Sequence, residues 1–272
     1  MNGRRTIVGL CMLCALLVSA FAAQSASAIT GTTAFTCVKN AQPENRVGEH
    51  CLDIPGTRNY GHVAIAQDKT TEIKGTNEKT ESETTKSRVG RLKLTIAGVP
   101  LELSATGVSG EGWMENKVNA SGEHYAHGKG TITFTGVQVT TPGPGRCTVT
   151  TDNAGAEGAV GVVHTRELTA TTEGQGHNLQ FTPAAVGPFA TFWITCNAPQ
   201  IPALEGKWEC TGSAKGQPNG ATTEFAHSTV TTENTLKCKG TKSGIDGALT
   251  LSGREKGSTG AYNPLAATTV TT

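Results

Sequence analysis

The chain has 272 residues, of which 17% are charged and 5% aromatic, and its 23 Lys and Arg against 22 Asp and Glu leave a net charge of +1. That balance argues against nucleic acid or an anionic membrane surface as a partner, because both need a basic patch. About one residue in six is Thr and 34 are Gly. Thr and Val fit pleated surfaces and Gly punctuates turns, so the composition favours many short strands over helices.

The first 28 residues carry Arg4 and Arg5, an apolar run from Ile7 to Ala23, and a closing Ala26-Ser27-Ala28. A charged start, a short apolar stretch and a small-x-small end describe a secretory signal peptide, with the mature chain beginning at Ile29. Arg4-Arg5-Thr6-Ile7-Val8 also fits a twin-arginine start, so both general and twin-arginine export stay open. Cys11 and Cys14 each follow Leu, where lipid attachment needs a small residue, so release into the extracellular space is expected, with no membrane anchor. Removing the segment takes away both arginines and no acid, so Lys plus Arg falls from 23 to 21 against 22 acids, a net of about −1.

Residues 29–252 read as a single all-β domain, with 29–60 as an N-terminal disulfide loop and 253–272 as a loosely ordered polar tail. Gln67 to Arg88 alternates Lys, Glu and Thr around Ile73 alone, the pattern of an exposed hairpin or a solvated loop. Leu92, Leu94 and Ile96 alternate with polar or small residues, and the phase then changes to Leu101 and Leu103. A two-residue II′ loop at Gly98-Val99 would face Ile96 with Leu101, Leu94 with Leu103 and Leu92 with Ala105. Gly136 sits where the apolar phase slips from Ile132 and Phe134 to Val137 and Val139, which reads as a bulge. Thr141-Pro142-Gly143-Pro144-Gly145 must turn. Further strands are expected near 60–66, 146–151, 160–170, 177–182, 189–196, 204–212, 221–230, 235–239 and 247–252.

Six cysteines remain after the leader: Cys37, Cys51, Cys147, Cys196, Cys210 and Cys238. An even number in an exported chain favours three disulfides, chosen from fifteen pairings. Cys147 shares a strand face with Val149, and Cys196 with Phe192 and Ile194, so the two point inward and would staple the core. Cys210 lies on the face of Leu204 and Trp208, and Cys238 on that of Leu236, which favours a second pair. Cys37 and Cys51 then close the N-terminal loop. No Cys-x-x-Cys is present in the mature chain, which leaves redox and zinc chemistry without a motif.

Four segments stand out together: Thr71-Glu72-Ile73-Lys74-Gly75-Thr76-Asn77, Gly130-Thr131-Ile132, Glu167-Leu168-Thr169-Ala170-Thr171-Thr172 and Gly244-Ile245-Asp246-Gly247-Ala248-Leu249-Thr250. Over most of the mature chain they resemble a group of uncharacterised secreted, Thr/Gly-rich all-β proteins of soil actinobacteria. The resemblance implies no activity and no catalytic residue. In that group cysteines often stand where this chain has Ala105 and Val137, which implies a dispensable bridge between neighbouring strands.

Catalysis needs a nucleophile with a base, two opposed carboxylates or a metal, and no motif for any of these is present. Neither a cofactor nor a metal is expected. His124-Tyr125-Ala126-His127 is the only close histidine pair, and it could share a metal only on a turn, because strand positions three apart face opposite ways. Glu111, Glu115 and Glu123 lie near Trp113, so a glycosidase-like carboxylate pair beside a sugar-stacking aromatic is the alternative to a non-catalytic surface. Trp113 with Glu111 and Glu115 is the candidate ligand-facing set. Trp208 reads as core, and Trp193 as outward or between packed sheets. Asn119-Ala120-Ser121 is a glycosylation sequon.

The expected architecture is an antiparallel β-sandwich of meander or Greek-key hairpins stabilised by disulfides. The expected function is a secreted, non-catalytic protein that recognises cell-wall polymer, polysaccharide or protein; the alternative is a secreted glycan-active hydrolase.

Overall fold

A computed structural model describes residues 30–39, 46–52, 59–76, 90–172, 178–197, 201–226 and 234–271. Residues 1–29, on which the signal-peptide reading falls, residues 77–89, His177 and His227 lie outside these. In chain order the strands are β1 (Thr30–Lys39), β2 (Arg46–Val47), β3 (Tyr60–Ala64), β4 (Thr71–Thr76), β5 (Arg91–Ile96), β6 (Val99–Ser104), β7 (Gly107–Val118), β8 (His124–Thr135), β9 (Gln138–Thr141), β10 (Cys147–Asn153) and β11 (Ala156–Val160). They continue as β12 (Val162–His164), β13 (Leu168–Thr172), β14 (Leu179–Pro183), β15 (Ala190–Cys196), β16 (Gly206–Thr211), β17 (Ala214–Asn219), β18 (Thr222–Ala226), β19 (Lys237–Cys238), β20 (Thr241–Glu255) and β21 (Asn263–Thr271). The one helical turn among the described residues is Glu49–Cys51. The expected all-β, disulfide-bonded class is the one that forms, its pairings antiparallel apart from the parallel contacts Gly31–His124 and Gln67–Asn116.

Pairing follows β20–β4–β7–β8–β13–β14–β17–β18 and returns from β18 to β20, every step antiparallel, so eight strands close into a ring. Closure removes the free edges that an open sheet would expose. Met114, Ile132, Leu168, Leu179, Phe181, Phe225 and Leu249 are buried and belong to one core cluster. Phe181 and Phe225 meet with ring centroids 5.4 Å apart. Small residues on β4, β7 and β8 complement these large ones. A Cβ on Gly112 would stand 2.1 Å from the Lys129 carbonyl oxygen, so the β7 and β8 backbones approach closely where only Gly fits.

A second layer, β11–β10–β15–β16–β19, joins the ring where β19 pairs with the start of β20. Its inner residues Phe189, Phe192 and Leu236 face Leu92 and Leu103 of the β5–β6 hairpin across an apolar cavity of about 70 Å³. Disulfides join Cys147 to Cys196 and Cys210 to Cys238, in both cases between directly paired residues, and Cys37 to Cys51. This is the pairing read from shared strand faces. A cross-strand disulfide is possible because side chains on opposed residues of an antiparallel pair leave the sheet on the same side.

Four expectations are corrected. The N-terminal stretch closed by Cys37 and Cys51 is not loop throughout, because Thr30–Lys39 forms β1 between β21 and β3. The tail beyond Gly253 is no loose end either: β21 pairs with β1 over Thr30–Thr36, and Leu265 and Ala266 are buried at 2% and 7% exposure. The β5–β6 loop is Ala97-Gly98, with φ of 48° and 79°, a I′-like turn rather than II′ at Gly98-Val99. Moving the loop by one residue shifts the register by two, so Ile96 faces Val99, Leu94 faces Leu101 and Leu92 faces Leu103. The apolar face is preserved, and Leu92 exchanges Ala105 for the larger Leu103 as its partner. Gly136 is the corner at which the chain leaves β8, so that β9 can pair with β6.

Within Gln67–Arg88, expected as an exposed hairpin or a solvated loop, Thr71–Thr76 is a ring strand between β20 and β7. It is buried through Thr71 and Gly75, which carry no large apolar signal. The expected strand at 160–170 breaks into β11, β12 and β13. Ala105 and Val137 are both buried, and the Ser104–Gln138 pairing continued by one step sets them opposite each other.

Candidate functional site: the outward face around Trp113

Alternation puts Glu111, Trp113, Glu115 and Lys117 on one face of β7, while Met114 and Asn116 point inward and are buried. Register carries this outward face onto the neighbouring strands. Trp113 lies between Glu72 of β4 and Lys129 of β8, Glu115 opposite His127, and Lys117 opposite Tyr125. Beyond β4, Arg254 of β20 stands opposite Glu72. Beyond β8, Thr169 and Thr171 of β13 stand opposite Lys129 and His127. Five adjacent strands thus form one surface about 19 Å wide at the usual strand spacing.

Two clusters occupy it. In the first, His127 sits beside Trp113 with ring centroids 5.5 Å apart, its Nδ1 3.8 Å from Glu115, and Lys117 Nζ 2.8 Å from the same carboxylate. In the second, Arg254 donates to Glu72 at 2.8 Å and the Tyr262 hydroxyl donates to the same oxygen at 3.3 Å. The Arg254 guanidinium lies 4.5 Å and Lys74 Nζ 4.9 Å from the Tyr262 ring centroid. Aromatic rings favour cations at such distances. Arg254 holds the Glu72 carboxyl below its ordinary range, chiefly through this hydrogen bond, and Lys256 adds to the effect.

The expected carboxylates are not brought together as a catalytic pair. Glu111 and Glu115 stand four residues apart on one strand, about 13 Å along it, against the separations of roughly 5–9.5 Å that glycoside hydrolysis uses. Glu115 is engaged by Lys117, and Glu111 is exposed. Glu123 is at the β7–β8 turn, where it accepts from Asn119 Nδ2 at 3.0 Å. The sequon asparagine organises that turn, since its Oδ1 accepts the Ser121 and Glu123 N–H groups. His124 and His127 are both on β8, so their side chains leave on opposite faces.

In comparisons with known proteins, no family model, no curated protein and no solved structure matches the chain.

The other tryptophans serve packing. Trp208 is fully buried, donates to the Leu204 carbonyl at 2.7 Å and stacks on Phe192. Trp193 is half-buried on the outer side of the second layer, donating to Asp152 at 2.9 Å. Sequence reasoning found Trp113, Glu111 and Glu115 but missed Tyr262, Arg254, Lys74 and Glu72 as their neighbours. The alternation of Glu72 and Lys74 was the available signal. Nothing local could place Tyr262 beside residues far earlier in the chain.

Two histidines make stability depend on pH. Burial lowers the pKa of His62, which packs on Phe35, and of His127, where Lys117 lowers it further, Glu115 opposes and Lys129 adds. The unfolded chain therefore takes up protons first on acidification, so stability present above the unfolded value of 6.5 is lost as the pH falls through it toward the folded values. The melting temperature, followed by calorimetry, is expected to fall from pH 7.5 to about 5.5 and to fall less in His127→Gln. A rise on acidification would contradict this account.

Proposed function

We propose that the protein is exported and acts as a non-catalytic recognition module that contacts polysaccharide, such as a cell-wall polymer, through the Trp113 face. Export is supported by the leader-like first 28 residues and by three disulfides, which persist in oxidising compartments. The observation that carries the binding reading is that Trp113, Tyr125 and Tyr262, half-buried on one outward surface, stand among paired charges. An aromatic ring offers a flat apolar face to a sugar, and the charged and Thr side chains around it offer hydrogen bonds to hydroxyls. An extended face of this kind suits a polymer lying across the strands.

The test is a thermal-shift screen of the oxidised mature protein against soluble glycans, followed by calorimetric titration of any glycan that raises the melting temperature. Trp113→Ala is expected to weaken binding by about tenfold or more, and Trp113→Tyr to retain a substantial part of it. Circular dichroism of both variants separates lost binding from lost fold. Unchanged affinity in a folded Trp113→Ala variant would remove the face from consideration, and a flat response to every glycan would turn the reading toward a protein ligand.

A further inference from the structure

We propose that the glycan read by this face is acidic, with a uronate carboxylate held at Lys74 and Arg254 beside Tyr262, next to the sugar stacked on Trp113. This rests on the preceding reading and adds the charge of the neighbouring sugar.

Three cations, Lys74, Arg254 and Lys256, gather at the β4–β20 side of the surface, and the carboxylates that face them are Glu72 and, opposite Lys74, Glu111. Glu255 pairs with Thr71 and so leaves β20 on the other face. Among the described residues the balance is one excess positive charge, which matches the single negative charge of a uronate.

Glu72 is already occupied by Arg254 and the Tyr262 hydroxyl. The Lys74 ammonium is held over the Tyr262 ring on an exposed residue, where an arriving carboxylate can accept from it.

The register supplies the spacing. Trp113 faces Glu72, and Glu72 faces Arg254, so the guanidinium column lies two strand spacings, about 10 Å, from the tryptophan column. Lys74 is two residues further along β4, on the same face. A chain crossing the strands with one sugar on Trp113 therefore brings its next sugars to Tyr262 and the cations. Tyr262 offers a second ring for stacking, and the cations distinguish an acidic sugar from a neutral one.

The experiment titrates polygalacturonate, dextran and a phosphodiester-linked glycan into the oxidised mature protein, its Lys74→Gln variant and its Trp113→Ala variant, each at low and at 0.5 M salt. Polygalacturonate is expected to bind most tightly and to weaken with salt, because the carboxylate contact is screened. Lys74→Gln, an exposed change that leaves packing intact, is expected to lower polygalacturonate affinity about fivefold and leave dextran unchanged. Equal binding of polygalacturonate and dextran, unaffected by Lys74→Gln but abolished by Trp113→Ala, would overturn the acidic assignment and keep the glycan reading. Tighter binding of the phosphodiester glycan would overturn the carboxylate assignment. No binding of any glycan, or binding indifferent to Trp113→Ala, would sink the underlying reading itself.

Discussion

Deleting Asn263–Thr272 is expected to abolish cooperative folding. The deletion removes β21, whose residues 265–271 pair with Thr30–Thr36 of β1, and strips one edge from a strand that also carries β3. It removes Leu265 and Ala266 from the interior, and Leu265 also packs over Gly253 of β20. Loss of a buried Leu alone costs about 2–5 kcal/mol, and the unpaired backbone of β1 adds to it. Since a domain has only about 5–15 kcal/mol in hand, the truncated chain should show no sharp melting transition and little dispersion in its amide spectrum. A truncated protein that melts cooperatively within a few degrees of the full chain would show that β21 is dispensable. The same contacts mean that β1 completes its pairing only once β21 is available.

The second large effect is expected at Asn116. Its side chain points inward from β7 at 4% exposure and ties three segments together. Its Oδ1 accepts the Ala34 N–H at 2.8 Å, while Nδ2 donates to the Ala34 carbonyl and the Ile65 carbonyl, both at 2.9 Å. The amide thus stands in at Ala34, just beyond the β3 pairing that begins at Phe35, and fixes the segment after β3. Asn116→Leu preserves approximate size but leaves the Ala34 N–H and the Ile65 carbonyl without partners, and the Ala34 carbonyl with only the Ile65 N–H at 3.4 Å. With about 1–3 kcal/mol for each such group, a loss of about 2 kcal/mol or more in urea denaturation follows. Asn116→Asp should cost a similar amount at neutral pH, because a carboxylate cannot donate to either carbonyl. A loss below about 1 kcal/mol in Asn116→Leu would mean that the amide is not what holds β1 to β7.

The contrast between these two sites shows where sequence reading succeeds. The β5–β6 hairpin was legible because large apolar residues alternate on both sides of a glycine, and a loop error of one residue left the buried face intact. The Cys147–Cys196 and Cys210–Cys238 bridges were legible because each cysteine shares a strand face with apolar neighbours, and inward side chains on paired strands meet. β4 and β21 were not legible in their roles. β4 is buried through Thr71 and Gly75, and β21 offers Leu265 as its one large buried apolar residue among the described side chains, so neither carries the hydropathy of a core strand. Asn116 gave no signal at all, since an asparagine within a strand looks the same whether it faces solvent or three backbone groups.

Trp113 stood out in the sequence because it is one of only 3 tryptophans and has acids nearby. Reading those acids as a pair failed for a geometric reason. Sequence neighbours on a strand are spread along a line, whereas a catalytic pair needs side chains that converge. The residues that do converge on the Trp113 face come from other strands, with Arg254 and Glu72 meeting across 182 positions.

Composition and alternation by themselves determined the all-β class and most strand positions, and cysteine phase favoured, without fixing, the disulfide pairing that forms, because each depends on a side chain's local preference for one face of a strand. The tertiary structure alone decided that eight strands close into a ring, that the first and last strands pair, and which charges surround Trp113. Those outcomes depend on contacts between residues far apart in the chain, and period-two alternation carries no record of which strand lies next to which.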